Sequence, residues 1–251
     1  MHRSRSGVVR VAGVDGCRHG WVVVVASVAA DATADAAPAS TSGLCIDSIV
    51  VTPTIAPVIS DPALSLVAID MPIGLPERAA RDCDRECRAA LGPRRSSVFP
   101  TPARSVLDAR DYADALARQR HATGSGISLQ AWNLVPRIAE LDAALGQVSR
   151  RRSDRIVETH PELAFATLTG APMRHPKRTT AGRRERLTAL RPHVAERWRR
   201  RSSVPTGAAP DDVLDALVLA IRAAAWSCGG PVVEFGDGRR DGRGRLLRIR
   251  G

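Results

Sequence analysis

Pro210-Asp211-Asp212-Val213-Leu214-Asp215-Ala216-Leu217-Val218-Leu219-Ala220-Ile221 carries three acids at the head of an apolar run, and the rest of the chain is organised around it. It opens with Pro and Asp, both favoured at a helix start. Beyond Asp215 it is apolar on nearly every face, the pattern of a buried helix. Asp212 and Asp215 are three apart, Asp211 and Asp215 four apart, so either pair can share a face. Capping and the helix dipole explain Asp211 well and Asp212 in part. They do not explain Asp215, which stands where the helix has turned apolar. A carboxylate there needs a partner, and a divalent cation is one candidate.

Working outward, other acids stand at comparable places. Val8 to Val14 reads as a buried strand that ends at Asp15-Gly16, and Trp21 to Ala26 as its hairpin partner. Leu44 to Val51 is a third strand, which suggests a meander. Leu64 to Ile69 is a fourth, ending at Asp70 before the rigid loop Met71-Pro72-Ile73-Gly74-Leu75-Pro76. A short strand over 155–158 ends in Glu158. Where strands run parallel, ligands gather beyond their carboxyl ends. The candidate constellation is therefore Asp15, Asp70, Asp212 and Asp215, with Glu158 as a fifth. Such carboxylates suit Mg²⁺ or Mn²⁺; two ions ~4 Å apart would activate water and stabilise a leaving oxygen in phosphodiester cleavage. The alternative is that each acid merely ends a strand or caps a helix.

Helices are expected over 77–91, 106–121, 129–145, 161–168 and, in a very basic stretch, 178–201; strands are expected over 232–235 and 246–249. The helical part between the fourth and fifth strands, about 77–150, looks like an insertion. Residues 1–7 and about 29–43 lack a structural pattern and are expected to be flexible. The remainder, 8–251, is expected to be one domain, a size that buries a good core.

Arg94, Arg95, Ser96 and Ser97 form a basic loop that would hold phosphate, or that is simply solvated. His160 is either a proton shuttle or a polar cap of the next helix. Arg183, Arg184, Arg186, Arg197, Arg199, Arg200 and Arg201 are a phosphate-contacting face or a solvated one. Cys83 and Cys87 lie four apart on one helix; a zinc site would need two more ligands, and nothing ties any to the pair. The chain has no P-loop, no dinucleotide fingerprint in context and no serine nucleophile elbow.

A net charge of +11 points to an anionic partner, usually nucleic acid. Of 37 basic residues Lys177 is the only lysine, a skew that coding bias also produces. Aromatic residues make up 3% of the chain, which argues against single-strand binding by base stacking. Five scattered cysteines suggest a reducing compartment, the cytoplasm, and no apolar run is long enough for a membrane span.

Several motifs also carry a resemblance. Gly13-Val14-Asp15-Gly16-Cys17 with Gly20-Trp21, Ala68-Ile69-Asp70-Met71-Pro72, Arg94-Arg95-Ser96-Ser97-Val98-Phe99, Glu158-Thr159-His160-Pro161-Glu162 and Asp211-Asp212-Val213-Leu214-Asp215-Ala216 resemble, in order, domain-of-unknown-function family 429. That family is described as predicted nucleases of RNase H-like fold. The acids also resemble those of bacterial Holliday-junction resolvases, with Asp70 in place of a longer Glu. The resemblance implies an α/β fold: a mixed five-stranded sheet flanked by helices, the first three strands antiparallel and the fourth parallel beside the first. It implies a metal-dependent nuclease acting on DNA or RNA. Two other classes stand beside it: an ATP-binding phosphotransferase of the related actin-like fold, and a non-catalytic nucleic-acid binder.

Overall fold

The computed structural model describes residues 7–29 and 43–251; the stretches expected to be flexible fall outside these apart from their inner ends. In chain order the elements are β1 Val8–Cys17, β2 Gly20–Ala29, β3 Cys45–Thr52, α1 Ala56–Ser60, β4 Leu64–Asp70, α2 Asp82–Leu91, α3 Tyr112–Thr123, α4 Leu129–Gly146, α5 Arg150–Ser153, β5 Ile156–Glu158, α6 Pro161–Thr169, α7 Thr180–Leu190, α8 Glu196–Arg199, α9 Pro210–Ser227, β6 Glu234–Phe235 and β7 Ile249–Arg250. The five long-range strands form one sheet in the order β3-β2-β1-β4-β5. β1, β2 and β3 are antiparallel neighbours, while β4 and β5 run parallel to β1 and to each other. This is an RNase H-like arrangement, with the helices α2 to α5 inserted between β4 and β5.

Strand alternation divides the core into two layers. Val11, Val22, Val24, Ala68 and Val157 face α9, which is buried from Val213 to Ala224. Val14, Val23, Val67, Ile69 and Ile156 face the other way, onto Ile138 and Leu141 of α4. Gly13 lets α9 lie directly on β1: a Cβ there would come within 2.1 Å of the Ala216 carbonyl oxygen and 2.2 Å of the Ala220 nitrogen. The helix thus crosses β1 two residues before Asp15, with its acidic start near the strand's end.

Some boundaries differ from the sequence expectation. The helix expected from Glu77 starts at Asp82, because Arg81 is extended and turned inward. The helix expected over 106–121 is a 3₁₀ turn at Arg104–Asp108 followed by α3, whose start Asp111 caps through the Asp114 N–H. The basic stretch 178–201 breaks into α7 and α8 around Pro192. The last two strands shrink to the two-residue pairs of β6 and β7.

Candidate functional site

Asp15 and Asp70 are register partners, the last pair of the parallel β1–β4 ladder. Their side chains therefore leave the sheet on the same face, toward α9. Asp215, 1% exposed, approaches from that helix. Asp212, one turn earlier, reaches back to accept the Ala209 N–H at 2.9 Å, so Asp212 rather than Asp211 caps the helix. All four acids line one cavity of about 440 Å³. Lys177, from the loop between α6 and α7, enters the same cluster and donates to Asp215 Oδ2.

The electrostatics follow from crowding in a dry place. Burial, then the charges of Asp70 and Asp215, push Asp15 well above the usual carboxylate range. Burial pushes Asp70 up to about 6, against the pull of the Lys177 ammonium. Asp215 rises to about 6 for the same reason, although Lys177 opposes it by charge and by hydrogen bond. Burial disfavours the Lys177 charge, but Asp215 and Asp15 more than offset this and raise its pKa. One ammonium thus serves several carboxylates, and the cluster carries uncompensated negative charge.

Glu158 lines the same cavity but reaches it from the other side of the sheet. It pairs in register with Ile69, not with Asp70, so its side chain leaves on the opposite face of the sheet. There Arg81, 2% exposed, donates Nη2 to Glu158 Oε1 at 2.6 Å and Nη1 to Oε2 at 2.7 Å. The same guanidinium binds Asp84 at 2.5 Å, and the Ile73 N–H also donates to Glu158. Burial works against the Arg81 charge, but Asp84 and Glu158 hold its pKa above normal. Glu158 is the anchor that ties β5, the loop after β4 and α2 together.

The His160 ring is engaged at both nitrogens. Nδ1 accepts the Glu162 N–H at 3.2 Å and so caps α6; the ring proton then lies on Nε2, 3.2 Å from the Ser97 carbonyl oxygen. Burial lowers its pKa, keeping it neutral. Of the basic loop, Arg94, Ser96 and Ser97 line the cavity, whereas Arg95 is exposed and does not. Ser97 Oγ donates to the Arg94 carbonyl, which leaves Ser96 as the hydroxyl with a free proton. Gln130 and Leu134 of α4 close the cavity from the inserted helices, and Arg178 adds a further cation.

Three residues of weight escaped the sequence reading. Lys177 stood out only as the one lysine of the chain, just before the basic stretch 178–201. Glu162 entered only as part of the family-like motif, with no role of its own, yet it is 6% exposed, lines the cavity and binds the buried Arg186 through Oε1. Arg186 in turn stands over the Phe165 ring, 5.6 Å from its centroid, so this member of the basic stretch is neither solvated nor phosphate-facing. Arg81 had no signal at all, since its partners are 3 and 77 positions away. Cys83 and Cys87 are buried and free, and burial pushes both thiols up, Cys87 to about 12. Among the described residues no helix is long and apolar enough to cross a membrane.

The donors are of the kind a hard divalent cation takes, carboxylate oxygens in excess of local positive charge. Among the described residues no three His, Cys, Asp or Glu side chains form a ready-made metal array. The reason is local: Asp215 is turned to Lys177 and Asp212 to its own helix start.

No curated protein and no solved structure matches the chain. The sequence pattern of one family does match, over residues 13–238, which spans every motif of the cavity. The chain belongs to that family, described as protein of unknown function (DUF429).

Proposed function

We propose that the protein is a divalent-metal-dependent nuclease that hydrolyses phosphodiester bonds of nucleic acid. The observation that supports this best is that Asp15, Asp70, Asp212 and Asp215 line the same cavity as Arg94, Ser96 and Arg178. Carboxylates and phosphate-binding donors in one cleft are the two halves that metal-assisted phosphodiester hydrolysis requires. Asp15, Asp70, Asp212 and Asp215 are the residues that would hold Mg²⁺ or Mn²⁺. A bound divalent cation would polarise the phosphate and lower the pKa of an attacking water.

The chain's own residues do the rest. Arg94 and Arg178 bind the non-bridging phosphate oxygens, and Ser96 donates a hydroxyl proton to one of them. Gln130 and Leu134 limit water access from the side of the inserted helices. His160 keeps the Arg94–Ser97 turn against α6 rather than moving a proton, because neither ring nitrogen is free. The net charge of +11 draws a polyanion toward the cleft. The cytoplasm, where the five free thiols would stay reduced, is the compartment that fits.

The test is a cleavage panel of single-stranded, duplex, hybrid and branched DNA and RNA with Mg²⁺, Mn²⁺ or EDTA. Asp15→Asn runs beside the wild type in each reaction. Cutting that needs the metal and disappears in the variant is the expected result. Cutting that persists in EDTA, or in Asp15→Asn, overturns the assignment, as does an inert wild type on every substrate.

A further inference from the structure

The chain carries 37 basic residues, and all but one are arginine. The single exception, Lys177, is the residue whose side chain enters the acid cluster. Arginine is a planar fork that demands space and several acceptors, whereas the lysine ammonium is a compact point charge. Between buried carboxylates that difference decides which cation fits.

Lys177 is also held there. Its loop is pinned on both sides: the Thr179 N–H and hydroxyl donate to the Pro176 carbonyl at 3.0 and 2.8 Å. The Arg174 and His175 N–H groups donate to the two oxygens of Glu185 at 2.9 and 3.0 Å. α7 packs so closely that a Cβ on Gly182 would fall 2.0 Å from the Pro176 carbonyl oxygen. The backbone that carries the ammonium is therefore fixed relative to α7, whose Leu190 shares a core layer with α9.

The remaining donors can be counted. Asp215 is engaged with Lys177, Asp212 Oδ2 with the Ala209 N–H, and Glu162 Oε1 with Arg186. Asp15 and Asp70 accept no hydrogen bond among the described residues, and Asp212 and Asp215 each keep a second oxygen. Glu162 Oε2 differs from these in being a fully buried oxygen with no hydrogen-bond donor, on a residue of the cavity wall. A buried carboxylate oxygen without a donor is costly unless something else satisfies it. Asp15, Asp70 and Glu162 are carboxylates of the kind a hard cation takes, and a bound ion would have to draw them together, since as they stand they form no three-ligand array.

We infer that Lys177 is a built-in cation occupying one of the two positive places of the acid cleft, so that the protein holds a single divalent ion, with Glu162 as an additional ligand. The inference rests on the metal-dependent reading above, and it replaces the two-ion arrangement that the acid count alone suggests. Lys177 then touches the site directly, facing the phosphate from the side of Asp215.

The experiment counts ions. The full-length protein is titrated with Mn²⁺, free ion being read by electron paramagnetic resonance, for wild type, Lys177→Met, Lys177→Arg and Glu162→Gln. One Mn²⁺ per wild-type chain is expected, two per chain in Lys177→Met, and one in Lys177→Arg. Glu162→Gln should weaken the wild-type site at least tenfold. Two ions in the wild type overturn the built-in cation and leave the nuclease proposal standing. No ion in the wild type overturns both. A Lys177→Met chain that still binds one ion, with the circular dichroism of the wild type, also overturns it, and an unchanged affinity in Glu162→Gln removes Glu162 from the ligand set.

Discussion

Asp15 and Asp70 stand opposite each other at the ends of two hydrogen-bonded parallel strands, the first buried and the second half-buried, both on the face covered by α9. Burial, joined at Asp15 by the charge of Asp70, makes folding work against ionisation. Asp70 titrates near 6 in the folded chain and near 3.8 when exposed. Its folded pKa is raised, so the folded state binds the extra proton. Stability is full below pH 3.8, falls as pH rises toward 6, and is level above that. The cost at neutral pH is roughly 3 kcal/mol for a shift of about two units. Asp70→Asn is expected to match the wild type near pH 3.5 and to exceed it at pH 7.5 by that order. Urea unfolding at the two values measures this, and an equal difference at both would remove the electrostatic explanation. Saturating Mn²⁺ at pH 7.5 should narrow the gap by stabilising the wild type alone.

Gly13 is where the sheet and α9 meet backbone to backbone. The atoms a Cβ would strike, the Ala216 carbonyl oxygen and the Ala220 nitrogen, belong to a helix buried along its length. No rotamer change relieves that overlap, so the helix must move. Gly13→Ala is expected to destabilise by about 3 kcal/mol or more and to lower the melting temperature by roughly 6–12 °C. The same shift would draw Asp212 and Asp215 away from Asp15, so Mn²⁺ affinity should fall with it. A variant with wild-type melting would show that α9 does not lie on Gly13.

Arg81 is the only cation bound to both Asp84 and Glu158 among the described residues, and all three are buried. Arg81→Met strands two carboxylates in a dry place, a change that costs about 3–5 kcal/mol. The Arg81→Met/Glu158→Gln double variant removes one of the two stranded charges, and should recover part of that loss. Denaturant midpoints for the singles and the double close the cycle. If Glu158 were instead a ligand of the acid cluster, Glu158→Gln with Arg81 intact would weaken Mn²⁺ binding; the expected result is no change.

Three of the four aspartates were legible in the sequence because each breaks a local rule; Asp212, which caps its helix, does not. Asp15 and Asp70 end runs of Val, Ile and Ala, and Asp215 interrupts an apolar helix. Glu158 looked equivalent, since it too ends a strand. What separates it is phase: β5 has three residues, too few for alternation to announce a face, and only its pairing of Glu158 with Ile69 reveals that it leaves the other face of the sheet, toward Arg81, at the far wall of the cavity. Sheet order came from the family likeness rather than from any local pattern, because hydrophobic runs do not say which strand they will pair with. Lys177 and Glu162 were hidden for a different reason. Their partners, Asp215 and Arg186, lie 38 and 24 positions away, the first in an apolar helix and the second in a basic stretch. The one available signal was compositional, a lone lysine in a chain that otherwise uses arginine.

His160 offers a clean separation between a proton carrier and a brace. A shuttle needs one ring nitrogen open to the substrate, but Nδ1 holds the Glu162 N–H and Nε2 faces the Ser97 carbonyl. Burial depresses its pKa below the ordinary 6.5. The folded state therefore favours the neutral ring. Its contribution to stability is complete above pH 6.5 and is lost as pH falls through the lower folded value, once the unfolded ring has taken up its proton. His160→Asn keeps an acceptor near the α6 start but cannot span to Ser97. It is expected to lower the melting temperature by roughly 2–4 °C, for a loss of about 1 kcal/mol. If the cleavage assay succeeds, its pH–rate profile should keep the same limbs in this variant, at reduced amplitude because the Arg94 turn is looser. Loss of one limb of that profile would make His160 a proton carrier and refute the brace.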